Sequence, residues 1–167
     1  MPEPIGFHVV IRLADNRPIA TTTCERRKLA RIVLRQGAER GLVAFGTADD
    51  HLHAAIVGSR TCAGEFAHYV ECSLRWGLRL ASGFDAARIR PLHDQRHAYN
   101  TVHYSHRQDS RHALDLDPLR DTTSLPEYLG LRVVDLGFAE RARRHLPRIR
   151  DEDLLALLPS GAFSEDI

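Results

Sequence analysis

The residues best suited to chemistry are two histidines, His51 and His53, and a tyrosine and a glutamine about fifty residues later, Tyr104 and Gln108. The histidines stand one residue apart in an apolar run. Strand side chains alternate between faces, so both imidazoles would point the same way and could hold one divalent metal ion. Residues four apart on a helix share a face, which would bring the Tyr104 phenol beside the Gln108 amide. This combination favours metal-assisted phosphodiester chemistry.

The histidine pair is weak evidence when it is taken alone. With ten histidines in 167 residues, one His-x-His pair is unsurprising by chance, and two polar residues on an exposed sheet face are the plain alternative. The downstream helix strengthens the metal hypothesis, because Asn100, Tyr104 and Gln108 would form one polar row along it. Tyr99 is the alternative nucleophile on the same helix. Two nearby histidines, His103 and His106, are candidates to assist proton transfer.

The elements that must position these residues follow the order strand, helix, two strands, helix, strand, helix. Apolar and β-branched runs predict strands over 5–13, 42–45, 51–57 and 87–92, with a turn over 46–50. Helical periodicity predicts helices over about 24–40, 59–81 and 95–108. Thr22 or Thr23 would cap the first helix, and Pro91 marks the last strand as an edge strand. This order predicts an α+β, ferredoxin-like fold, an antiparallel sheet covered by helices.

The C-terminal third of the chain has a different pattern. We predict one domain over 1–112 and a small helical C-terminal extension over 113–167. The extension would contain a loop over 115–126 and short helices over 126–131, 138–146 and 151–158. Two roles remain open for these helices: a cap over the sheet, or a satellite module that contacts DNA.

Charge and cysteine content restrict the function classes. The net charge is only +1, but residues 1–110 carry 15 basic and 11 acidic side chains, whereas 111–167 carry 8 and 11. Lys28 is the one lysine, and arginine suits bidentate phosphate contacts, although genomic composition explains the bias equally well. Three cysteines without metal-binding spacing favour a reducing cytoplasm, and no apolar run is long enough to span a membrane. The candidate phosphate contacts are Arg26, Arg27, Arg31, Arg88, Arg90 and Arg107.

Three segments of the chain resemble the single-tyrosine HUH-type transposases, and within them the REP-associated tyrosine transposase branch. They are Phe7-His8-Val9, Asp50-His51-Leu52-His53-Ala54 and Tyr104-Ser105-His106-Arg107-Gln108. The likeness covers roughly residues 5 to 110. Two departures stand out. Gln108-Asp109-Ser110-Arg111 replaces a stretch that contains Asn-Pro in many relatives, and Thr47-Ala48-Asp49 replaces the usual Met-Pro.

The resemblance implies a site-specific endonuclease that cuts and rejoins single-stranded DNA. It implies that His51, His53 and Gln108 bind Mg²⁺ or Mn²⁺ and that Tyr104 is the nucleophile, forming a 5′-phosphotyrosine. The expected DNA partner is single-stranded and forms hairpins or palindromic repeats. A cytoplasmic, nucleoid-associated protein is expected, either a monomer or a homodimer.

Two other functions compete with this one. A domesticated protein could keep the fold to bind hairpin DNA without cleaving it. A His-rich metallohydrolase of small molecules is the third possibility, but the common barrel that uses His-x-His needs about 250 residues. The chain is too short for that barrel.

Overall fold

The computed structural model describes residues 3–48, 50–108 and 122–158. Within these ranges one antiparallel sheet has the strand order β2-β3-β1-β4. Its strands are β1 (Gly6–Arg12), β2 (Leu42–Thr47), β3 (His51–Val57) and β4 (Arg88–Leu92). The predicted α+β, ferredoxin-like fold is confirmed, and β4, which contains Pro91, lies at an edge as predicted.

Helices cover both faces of this sheet. The helices α1 (Thr23–Ala38) and α2 (Arg60–Gly77) pack together on one face, and α3 (Gln95–His106) packs on the other. Thr22 caps α1 in a reciprocal capping box with Glu25. Two predicted boundaries differ from the structure: α2 ends at Gly77 rather than near 81, and α3 ends at His106 rather than at 108.

The strand alternation separates an apolar face from a polar one. On β3, Leu52, Ala54 and Ile56 are fully buried in the core that α1 and α2 cover. His51 and His53 therefore point to the opposite face, toward α3. The sequence periodicity predicts this separation correctly.

A glycine sets how closely α3 approaches the sheet. Strand β2 continues through Gly46, which the sequence pattern assigned to a turn, and Gly46 pairs in register with His53. A Cβ atom at Gly46 would lie only 1.8 Å from the carbonyl oxygen of Ser105 on α3. Only glycine therefore allows the α3 backbone to rest on β2, and this contact brings Tyr104, the neighbour of Ser105, close to His53.

The described C-terminal region contains three short helices, α4 (Leu125–Tyr128), α5 (Phe138–His145) and α6 (Asp151–Leu155). The helix α5 packs on β2, and residues in and just before α4 close its outer edge. The Thr122 carbonyl accepts a hydrogen bond from the β2 backbone at 2.7 Å, the Ser124 amide donates one at 2.9 Å, and the Tyr128 hydroxyl donates to the Val43 carbonyl at 2.5 Å. These bonds satisfy polar groups that an open strand edge would expose.

Some sequence predictions for this region fall outside the described residues. These are most of the loop over 115–126 and the boundary between 112 and 113. Among the described helices, none has both the length and the apolar character needed to cross a membrane.

Candidate active site

A pocket of about 530 Å³ opens between the polar face of the sheet and α3. Its floor comes from β1, β3 and β4, and its wall from α3 and the segment before β4. The lining residues are His8, Val10, Arg12, His51, His53, Asp85, Ala86, Arg88, Arg90, His97, Asn100, Thr101 and Tyr104. Imidazoles, guanidinium groups and one phenol thus share a single cleft.

Four aromatic rings form the centre of this pocket. The His51 and His53 rings meet edge to face with their centroids 4.6 Å apart. The Tyr104 ring lies edge-on to His53 at 5.0 Å, and the His8 ring stacks on His53 at 5.1 Å. His51 and His53 are buried, whereas Tyr104 is half-buried and reaches the cleft. The juxtaposition predicted from the sequence is present; the roles of the residues remain predictions.

A carboxylate orients one of the two candidate metal ligands. The Nδ1 atom of His51 lies 2.5 Å from Oδ1 of Asp50, and the other Asp50 oxygen lies 3.2 Å from the Arg12 guanidinium. Burial alone would raise the pKa of the Asp50 carboxyl, but the hydrogen bond from His51 and the charges of His51 and Arg12 lower it overall. An ionised Asp50 can only accept at this contact, so His51 donates from Nδ1 and, in the uncharged form of the ring, Nε2 carries the lone pair.

His8, which the sequence analysis named within Phe7-His8-Val9 but gave no role, is a pocket residue. Its Nε2 atom lies 3.0 Å from Nδ1 of His53. Burial, followed by the nearby Arg90 and His97, lowers the pKa of His8 to about 4, so this ring is neutral at neutral pH. The register of β1 against β3 would have indicated this contact. Val10 pairs with His53, so His8 lies diagonally beside His53 on the same face of the sheet.

Gln108 lies near Tyr104 but outside the pocket lining. It follows the α3 cap residue Arg107, is fully buried, and donates from Nε2 to the Tyr104 carbonyl at 2.8 Å. Its buried Oε1 atom has no hydrogen-bond partner among the described residues. Buried amide oxygens are normally paired, so this one is suited to a further partner such as a cation.

The donor set fits a divalent metal ion that accepts nitrogen and oxygen ligands. Two imidazoles on one face, with an amide oxygen nearby, suit Mn²⁺ or Mg²⁺ when phosphate oxygens and water complete the shell. Among the described residues, no three His, Cys, Asp or Glu side chains form a metal-binding group. Any metal site here would therefore depend on Gln108 or on the substrate.

Tyr99 lies in a separate depression. Its neighbours there are Arg96, Arg148, Arg150 and Asp153, and its ring contacts His103 at 4.3 Å. Burial, and then the Asp153 carboxylate, raise the pKa of Tyr99. Tyr104 is thus the α3 tyrosine that faces the histidine pair.

Neither proposed proton-transfer histidine reaches the pocket, which corrects that sequence hypothesis. His106 is buried, with Nε2 2.9 Å from the Ser124 hydroxyl, and burial lowers its pKa to about 3. His103 faces Tyr99 instead. The helical rotation of about 100° per residue turns both side chains away from the face that carries Tyr104.

The pocket arginines differ in part from those predicted. Arg88 and Arg90 line the pocket, and so does Arg12, which the sequence analysis did not single out. The predicted arginines of α1 belong to the helix on the opposite face of the sheet, so they cannot contact a substrate in this cleft. They are Arg26, Arg27 and Arg31.

No protein-family model matches the chain, and no curated protein does. A solved structure does match: that of a REP-associated tyrosine transposase bound to a REP hairpin, with a TM-score of 0.60 and 12% sequence identity. The alignment covers 81% of this chain and 87% of that one. The chain therefore has the fold of a REP-associated tyrosine transposase, the branch that its sequence segments resemble.

Proposed function

We propose that the protein cleaves and rejoins single-stranded DNA at hairpin-flanked sites, with Tyr104 as the nucleophile. One observation carries the proposal: the Tyr104 ring lies 5.0 Å from His53, inside a cleft that also holds His51 and arginine side chains. A nucleophile and a phosphate-activating site must be nearly in contact for in-line attack. The related fold bound to a REP hairpin supports hairpin DNA as the substrate class.

Residues for divalent metal binding are available beside Tyr104. His51, His53 and Gln108 would hold Mg²⁺ or Mn²⁺, which would polarise a non-bridging oxygen of the scissile phosphate. The Asp50 hydrogen bond holds the His51 ring in the orientation that this role needs. The Gln108 side chain would have to turn its Oε1 atom toward the cleft.

The pocket charges favour the binding of a phosphodiester. The exposed Arg88 and Arg90 stand on β4 at the pocket rim, where they can bind phosphates on either side of the scissile bond. The Arg12 guanidinium forms an ion pair with Asp50, and this contact holds it beside His51. The arginines would fix the DNA strand so that the phosphorus atom of the scissile phosphate lies within reach of Tyr104.

The proposed reaction is a transesterification. The Tyr104 oxygen attacks the phosphorus atom and loses its proton, while the bond from phosphorus to the 3′ oxygen breaks and that oxygen gains a proton. The products are a 5′-phosphotyrosine and a free 3′ hydroxyl. Because one phosphate ester replaces another, a 3′ hydroxyl can attack the phosphotyrosine and rejoin DNA without ATP.

The decisive experiment is a search for the covalent adduct. The protein is incubated with a labelled single-stranded hairpin oligonucleotide and Mn²⁺, and the denatured mixture is separated by electrophoresis. The unaltered protein should give a labelled adduct, and Tyr104→Phe should lose it because one oxygen is removed while the ring remains. Tyr99→Phe is the matched control, since it makes the same change on the same helix.

Each outcome assigns the function. If the adduct persists in Tyr104→Phe and disappears in Tyr99→Phe, the nucleophile is misassigned. If the unaltered protein binds the hairpin but never forms an adduct, the protein is a non-cleaving hairpin-DNA-binding protein that keeps the transposase fold.

A further inference from the structure

The two candidate metal ligands have different partners behind them. The His51 ring bonds to the Asp50 carboxylate, whereas the His53 ring bonds to a second imidazole, that of His8. His8 Nε2 and His53 Nδ1 are 3.0 Å apart, and the two rings stack with an interplanar angle of 26°. His8 thus places a polar ring on the pocket side of β1. The hydrogen bond to His53 compensates this ring for the water contacts that it loses.

A hydrogen bond between two imidazoles, each in its uncharged form, has two possible polarities. Each ring has one N–H donor and one acceptor nitrogen, so either His8 or His53 supplies the proton. If His8 Nε2 donates, the remaining proton of His53 lies on its own Nε2, and that atom cannot bind a metal ion. If His53 Nδ1 donates, His53 Nε2 carries the lone pair.

We infer that His8 is a positioning residue, which accepts the Nδ1 proton of His53 and so fixes the tautomer whose Nε2 can bind the metal ion. The inference rests on the proposed function. It assigns to His8 the part that Asp50 has for His51, since a partner behind a metal-bound histidine fixes both the tautomer and the ring orientation. Both ligand rings would then present Nε2 as the acceptor.

The difference between the two partners has a consequence for affinity. Asp50 is a carboxylate and makes the short 2.5 Å contact, whereas His8 would accept through a ring nitrogen at 3.0 Å. A charged acceptor strengthens the basicity of the ring more than a neutral one does. We therefore expect the hydrogen bond from His53 to His8 to act chiefly by fixing the tautomer and orientation of the His53 ring.

Two substitutions at His8 separate its hydrogen bond from its packing. His8→Phe keeps a ring that can stack on His53 but removes the acceptor. His8→Gln carries an amide oxygen close to the former Nε2 position. Mn²⁺ binding to the full chain, followed by electron paramagnetic resonance, should weaken about 10- to 100-fold in His8→Phe and largely recover in His8→Gln. His68→Phe, at an exposed position of α2, should bind Mn²⁺ like the unaltered protein.

A second measurement needs neither metal nor DNA. Nitrogen-15 NMR of the histidine rings in the metal-free protein distinguishes a protonated from an unprotonated ring nitrogen. His53 should carry its proton on Nδ1, and this state should be lost in His8→Phe and retained in His8→Gln. A His53 ring with its proton on Nε2 in the unaltered protein overturns the inference.

The remaining outcomes are also decisive. Equal Mn²⁺ affinity in His8→Phe and the unaltered protein rules out a positioning role, and failure of His8→Gln to restore the affinity that His8→Phe loses shows that a hydrogen-bond acceptor at this position does not act as inferred. Electron spin echo measurements count the imidazoles on the bound Mn²⁺; a fall from three to two in His8→Phe would make His8 a ligand instead. If the tautomer and affinity results agree with expectation but no DNA adduct forms, the inference stands and the proposed cleavage fails.

Discussion

The two tyrosines of α3 occupy two basic depressions of similar size, and only one depression contains a histidine pair. Tyr104 faces a pocket of about 530 Å³ with His51 and His53, whereas Tyr99 faces one of about 490 Å³ with Asp153. Arginines line both pockets. Positive charge therefore does not distinguish a candidate active site from an ordinary surface depression in this protein.

What distinguishes them is the set of groups next to the phenol. Burial, followed by the Asp153 carboxylate, raises the pKa of Tyr99, and that carboxylate would repel a phosphate. The Tyr104 ring instead contacts the His53 ring; Asp85 lines its pocket, and Asp50 is engaged by His51 and Arg12. Within the described residues, the Tyr104 pocket thus combines a phenol with ligands that could hold a cation.

The largest expected effect comes from removing one of the two histidines that distinguish the Tyr104 pocket from the Tyr99 pocket. His51→Ala or His53→Ala should abolish divalent-dependent cleavage of a hairpin oligonucleotide while leaving DNA binding largely intact. The physical reason is that contacts with phosphate come mainly from arginines elsewhere. Gel-based cleavage and fluorescence-anisotropy binding, measured on the same samples, separate the two effects.

The paired control for these variants is chelation. Excess chelator should reduce cleavage by the unaltered protein to the level of the histidine variants. Cleavage that persists in chelator would remove the metal ion from the mechanism. Loss of DNA binding together with cleavage would make the histidines direct DNA contacts or structural residues.

A smaller effect should follow from moving Tyr104 without changing it. Gly46→Ala introduces a Cβ that would meet the Ser105 carbonyl at 1.8 Å, so α3 must shift away from β2. A misplacement of about 1 Å can reduce a catalytic rate about 100-fold, and overpacking costs about 1 to 3 kcal/mol of stability. Adduct formation and thermal unfolding measure the two consequences.

Gly64→Ala is the matched control for this shift. Gly64 lies within α2, and a Cβ there would meet nothing within 4 Å. Alanine should therefore stabilise the helix by roughly 0.5 to 1 kcal/mol without changing adduct formation. If Gly46→Ala kept full activity and stability, the close contact between α3 and β2 would not be what positions Tyr104.

Local patterns predicted much of this arrangement. Alternation on β3 brought His51 and His53 to one face, and helical spacing separated Tyr104 from Tyr99, because both depend only on neighbours along the chain. The cap at Thr22, one of the two candidates that the sequence offered, and the edge position of β4 are likewise local, the latter because proline lacks a backbone donor.

The roles that the sequence analysis missed depend on contacts between distant segments. His8 reaches His53 only through the register of β1 against β3, and Gly46 acquires its role only when α3 packs on β2. Helical spacing also predicted an α3 that is two residues too long. The helix ends at His106, and Gln108 contacts Tyr104 from beyond the cap residue. Sequence periodicity does not record where one element meets another.

The smallest expected effect concerns the pocket of Tyr99. Asp153→Asn removes the carboxylate that raises the pKa of Tyr99, so this pKa should fall toward the ordinary tyrosine value of about 10. It should not fall fully, because burial, the larger cause, remains. The ultraviolet absorbance of phenolate against pH should show one tyrosine titrating earlier, and Tyr99→Phe identifies its signal. Tyr128 does not interfere, since burial raises its pKa far above the ordinary value.

Adduct formation by Asp153→Asn should stay within about twofold of the unaltered protein, because no step of the proposed chemistry uses Tyr99. A marked loss of adduct in Asp153→Asn would mean that the two depressions of α3 act together on the DNA.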